Sequence, residues 1–92
     1  MAEDSSDARS LVARSKCYTR LGQLEYALRD AEKVLKKDKK CQEAVYQKAE
    51  TLYQLGRYEH ALVFYHRGHK LRPESRFKIG IHKSQDAILG NR

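Results

Sequence analysis

Three of the four histidines, His60, His66 and His69, fall inside one stretch, YEHALVFYHRGHKLRP, residues 58–73. His66 and His69 are three apart, which brings both rings to one face of a helix, and His60 lies nearly two turns earlier. Imidazoles grouped in this way could ligate a metal ion or move protons. A metal centre needs three or four converging ligands and outer groups that orient them. No carboxylate accompanies these histidines in the manner of HExxH. Cys17 and Cys41 are the two cysteines and have no CxxC spacing. They read as reduced thiols of a cytoplasmic chain rather than a disulfide framework or a zinc site. Nothing marks a base beside Cys17, and Gly22 and Gly56 stand alone, unlike a phosphate-cradling loop. The expectation is a protein without catalysis, metal or cofactor.

What would position such side chains is a small fold. The 92 residues suit one small domain or a piece of a larger protein, with a modest core. No apolar run is long enough to span a membrane, and the acidic, serine-rich start MAEDSSDARS lacks the apolar centre of a signal peptide. Residues 1–7 are expected to be a disordered lead-in. Nineteen Lys and Arg against twelve Asp and Glu leave a net charge of +7. The densest cluster is KVLKKDKK, Lys33 to Lys40. It reads either as a solvated helix end that complements the carboxyl-end dipole, or as a contact for nucleic acid or another anionic surface.

The chain repeats itself. LVARSKCYTRLGQLEYALRDAEKVL aligned with VYQKAETLYQLGRYEHALVFYHRGH sets Leu21-Gly22 over Leu55-Gly56, Glu25 over Glu59 and Ala27-Leu28 over Ala61-Leu62, always 34 residues apart. Each unit reads as two amphipathic helices joined by a tight turn. Leu11, Ser15 and Tyr18 lie on one face of the first helix. The glycines are suited to the left-handed turn that ends a helix. Second helices are expected over about Leu24–Lys37 and Tyr58–Arg72, with inner stripes Ala27-Ala31-Val34 and Ala61-Tyr65-Gly68. Gly68 in mid-helix implies close packing against a neighbour. Pro73 closes the second unit. A fifth helix follows, ended by Gly90, with Phe77, Ile81, Ser84 and Ile88 on its buried side. Continuing the 34-residue frame would bury His82 and Lys83 instead, so a slightly longer loop is expected at RPESRF. The fold class is all-α: a helix-turn-helix superhelical stack with units at 8–41 and 42–75 and a capping helix at 76–90.

Ala27/Ala61, Gly22/Gly56, Tyr65 and Pro73 on a 34-residue period resemble the tetratricopeptide repeat, and ALVFYHRGHKLRP follows that family's second-helix pattern closely. The first unit departs from it, with Ala31 where a large aromatic is usual and Lys39 in place of proline. A narrower resemblance, carried by LVARSKCY, QKAETLY, ALVFYHRGHKLRP and GIHKSQDAI, is to the tetratricopeptide proteins that dock outer dynein arms in ciliary axonemes. It implies a non-catalytic scaffold whose partners are other docking-complex or axonemal subunits, with no membrane or nucleic acid. It also implies that this chain is an excerpt, with self-association possible through an uncovered first helix. The helical wheel and the family's register place Arg9, Val12, Lys16, Thr19 and Arg20 on the concave face, with Glu43, Tyr46, Gln47, Glu50 and Tyr53 from the second unit. Aromatics beside charges suit a protein groove, and an ordinary solvated helix face is the other reading. Val63, apolar where the repeat turns outward, suggests a second surface. His60 and His66 fall at outward positions, and His69 replaces a usual leucine, so it is expected to be half-buried. A co-chaperone's carboxylate clamp needs inner cations, and of its matching positions only Lys16 has the right charge. Alternatives are a generic tetratricopeptide adaptor or co-chaperone module, and a basic binder of nucleic acid or an anionic surface.

Overall fold

A computed structural model describes residues 7–90, so the expected disordered lead-in lies, Asp7 apart, outside the described residues. Among the described residues five helices follow one another: α1 (Ala8–Leu21), α2 (Leu24–Lys37), α3 (Gln42–Gln54), α4 (Tyr58–Leu71) and α5 (Ser75–Gly90). The described residues contain no strand. The second helices sit where the repeat pattern puts them, α4 ending one residue earlier than expected.

The two tight turns have the same chemistry. Gly22 adopts φ 81° and Gly56 φ 85°. At the first, the Gly22 N–H donates to the Thr19 carbonyl (3.1 Å) and the Gln23 N–H to that of Tyr18 (2.8 Å). At the second, Gly56 donates to Tyr53 (3.0 Å) and Arg57 to Leu52 (2.9 Å). This is the Schellman pattern, which satisfies the last carbonyls of a helix and needs a left-handed residue. At the far end of α4 the Gln42 side chain donates to the Arg72 carbonyl (2.7 Å), just past the last turn, and to the Gly68 carbonyl (3.2 Å), which also accepts from the Arg72 N–H.

Packing follows the expected stripes. Ala27, Ala31, Ala61 and Tyr65 are inaccessible to solvent and Val34 nearly so, with Gly68 buried beside them. Ser15 of α1 donates to the Ala27 carbonyl of α2 at 2.8 Å, so its buried hydroxyl has a partner. One polar feature was not anticipated. Asp30 is buried on α2, and Arg14 of α1 grips it with Nε and Nη2 at 2.7 and 2.9 Å. A buried carboxylate needs such a partner, and the forked guanidinium supplies two bonds at once. The same hydrogen bonds, with the attraction of the carboxylate, raise the Arg14 pKa above its ordinary value.

Consecutive helices pack on one another; α1 also meets α3 and α3 meets α5, whereas no Cα of α2 comes within 8 Å of one of α4. The stack therefore curves toward the side of α1, α3 and α5. The fifth helix buries Phe77, Ile81 and Ser84, with Ile88 half-buried, and leaves His82 exposed, as its expected register requires. The loop before it corrects one expectation. It spans 72–74, shorter than the 38–41 loop rather than longer. Phe77, Ile81 and Ser84 follow Val45, Ala49 and Leu52 by 32 residues instead of 34, one residue from the shorter loop and one because the buried stripe starts a residue nearer the beginning of α5. The outer face of α5 is not wholly polar: Ile79 and Leu89 are 63% and 75% exposed. On α1, Ser10 and Cys17 are exposed, whereas their counterparts Ala44 and Thr51 are fully covered.

Candidate protein-binding face

Curvature makes the side shared by α1, α3 and α5 the inner face. Its side chains form an alternating ladder of acids, cations and aromatic rings. Arg76 of α5 reaches Glu43 of α3, Nη2 to Oε2 at 2.8 Å, and its Nε donates to Glu74 at 2.8 Å. The same guanidinium lies 4.6 Å from the centre of the Tyr46 ring. Two turns further, Glu50 accepts from Tyr65 Oη at 2.6 Å and from Lys83 Nζ at 3.2 Å. Lys83 also stands 4.5 Å from the Tyr53 ring centre, and that ring packs edge-on against Tyr58 at 5.1 Å. Each cation is thus held between a carboxylate and a π face, a geometry in which both attractions act together.

These contacts set the ionisation of the face. Burial, and then the Glu50 carboxylate, push the Tyr46 hydroxyl up to about 12. Burial and the hydrogen bond to Glu50 push Tyr65 further up. Both phenols stay neutral and keep their protons for donation. The hydrogen bond from Arg76 holds Glu43 below the usual carboxylate range. A carboxylate with a depressed folded pKa stabilises above its unfolded pKa, and that contribution is lost as pH falls through the folded value. Glu43 is about half exposed, so the effect is small. Arg76→Gln is expected to lose less stability than the parent on acidification, by about 0.2–1 kcal/mol. Urea titrations at neutral and acid pH measure it, and parallel acid limbs would show the pair to be inert.

Of the residues expected on this face, Arg9, Lys16 and Arg20 are exposed on α1, and Tyr46, Glu50 and Tyr53 are half-buried on α3. Gln47 sits deeper, 5% exposed, and offers a partner little surface; Val12 is buried likewise at 8%. Between Arg9, Val12, Lys16, Cys41 and Glu43 lies a cavity of about 300 Å³, a shallow hollow where α1 meets α3. Sequence reasoning did not find Arg76 and Lys83. They lie seven apart on α5, two turns of one helix face, which was the available signal. Val63 is 51% exposed on α4, as its outward position implied.

The histidines do not converge. His60 and His66 are exposed and His69 is half-buried. Among the described residues no three His, Cys, Asp or Glu side chains could hold a metal ion together. Cys17 and Cys41 are free thiols. His66→Gln is expected to leave stability within about 0.5 kcal/mol of the parent, as for other surface changes, with thermal melting as the check.

Helix pairs stacked at a 34-residue offset, their first helices lining a shared inner face, define a helical-repeat stack. No family model matches the chain. It is 57% identical over 84 residues to outer dynein arm-docking complex subunit 4 of Mus musculus, covering 91% of this chain and 14% of that protein. The Homo sapiens protein of the same name is 55% identical over 82 residues, 89% of this chain and 12% of its own length. That of Danio rerio is 57% identical over 83 residues, 89% of this chain and 17% of its own. The chain therefore spans a small part of the length of these relatives.

Proposed function

We propose that the chain is a non-catalytic protein-interaction module of the tetratricopeptide type, serving in a complex that docks outer dynein arms on the doublet microtubules of ciliary axonemes. The observation that carries this reading is the similarity to relatives of that name over about nine-tenths of the chain. Its two repeats are residues 8–41 and 42–75, capped by the helix that follows. The inner face supplies the contact surface: Tyr46 and Tyr53 offer rings with hydrogen-bonding tips, and Arg9, Lys16 and Arg20 offer exposed cations. A co-chaperone role is disfavoured because, of the inner positions that would clamp a partner's terminal carboxylate, Lys16 alone is a cation.

Affinity capture from axonemal extract tests the proposal, with the 92-residue chain as bait. Recovery of other docking-complex or dynein-arm subunits supports it. Recovery of chaperones favours the generic adaptor, and an empty eluate counts against both. Sedimentation of the chain alone reads self-association through the uncovered side of α1 independently.

A further inference from the structure

The curvature that closes the inner face opens the opposite side. Between α2 and α4, whose Cα atoms nowhere come within 8 Å, lies a cleft of about 700 Å³ floored by Lys48 of α3. That volume lies within the roughly 300–1,000 Å³ of typical binding clefts. Leu35 and Phe64 give it half-buried apolar walls, while Lys36, Lys39 and Arg67 stand exposed around it. Glu32 is the one carboxylate in its lining and is held by Lys48 at 3.2 Å. Among the described residues no carboxylate pairs with Lys36, Lys39 or Arg67. The cleft therefore has apolar walls and a rim of cations without carboxylate partners, open to a partner's negative charge.

We propose that this cleft binds an acidic peptide segment of a partner protein, with an apolar side chain seated against Leu35 and flanking carboxylates paired to Lys36, Lys39 and Arg67. The site is separate from the inner face and does not depend on which partner occupies that face. A nucleic acid is the competing polyanion, and the aromatic ring argues against it. Base stacking needs an open ring face. Phe64 has Lys48 Nζ 4.4 Å and Arg67 Cζ 4.6 Å from its ring centre, so cations already occupy it. What remains open is charge next to aliphatic surface, which a peptide of glutamates and leucine matches and a phosphodiester does not. Exposed charge pairs of this kind weaken as salt shortens the screening length to about 8 Å at physiological strength.

Fluorescence anisotropy tests the proposal with a labelled glutamate-rich peptide carrying a central leucine, its glutamine analogue, and a single-stranded RNA of equal length. The full chain should bind the acidic peptide at low salt and not the glutamine analogue. Lys36→Glu with Lys39→Glu should weaken binding at least tenfold. The charge-matched control, Arg57→Glu with Lys78→Glu, should change it less than twofold; both of its sites are exposed and lie outside the cleft. Circular dichroism confirms that each variant is folded. Equal losses in the two variants, tighter binding of the RNA, or no binding of the acidic peptide would each overturn the proposal.

Discussion

Phe77→Ala is expected to destabilise the protein by about 3–5 kcal/mol, the range for emptying a buried aromatic site. Phe77 has no accessible surface, meets the Tyr46 ring edge-on at 5.4 Å and fills the space beside Gly68. It belongs to the larger core cluster with Ala49, Leu52, Ala61, Tyr65 and Ile81, which joins three helices. A domain of this size has only ~5–15 kcal/mol in total, so the variant should be marginally folded at best. Urea titration gives the value. Ile79→Ala, two residues along the same helix but 63% exposed, should stay within about 0.5 kcal/mol of the parent. Similar losses for the two would mean that α5 is not seated on α4 by Phe77.

The second large effect is expected at Gly68, where two terms oppose each other. Alanine in a helix interior is favoured over glycine by about 1 kcal/mol. A Cβ at this position, however, would stand 2.7 Å from Cδ1 and Cζ of Phe77 and closer still to Cε1. That ring is fully buried and cannot swing away, so overpacking, typically 1–3 kcal/mol, is expected to win. Gly68→Ala should therefore lower the urea midpoint. Phe77→Leu, which removes the obstructing ring atoms, should recover part of that loss, with a coupling of about 0.5–3 kcal/mol for residues in contact. Additive losses would place the clash elsewhere. Gly80 has the same relation to Tyr65, whose ring carbons would crowd a Cβ there. Two glycines, one on each helix, thus let α4 and α5 approach by interlocking with an aromatic ring of the other.

Half of that interlock was legible in the sequence. Gly68 falls on the inner stripe of a helix, and a glycine costs too much there unless something presses on it. Gly80 gave no comparable signal, because Tyr65 had already been placed as a core residue of its own unit. The helix pairs and turns were legible because apolar spacing and glycine position repeat at 34 residues. The α4–α5 loop was misjudged because periodicity reports the phase of a helix and not the direction in which a frame has slipped. A shift of register satisfies the same apolar stripe from a longer or a shorter loop. Polar partners were the least legible. Arg14 and Asp30 lie 16 residues apart, and Lys83 and Glu50 lie 33 apart. Such pairs depend on which side chains the folded stack brings within 3 Å or so, and no periodic pattern records that.

The proposed function puts the partner protein on the face shared by α1, α3 and α5. Site-specific photocrosslinking tests it most directly, with a benzophenone side chain in place of Lys16 on the inner face or of Glu25 on α2, both exposed positions. Incubated with docking-complex subunits, the chain labelled at position 16 should form a covalent adduct with one of them, and the chain labelled at 25 should not. An adduct from position 25 with none from 16 would contradict the account and move the interface to the other side of the stack.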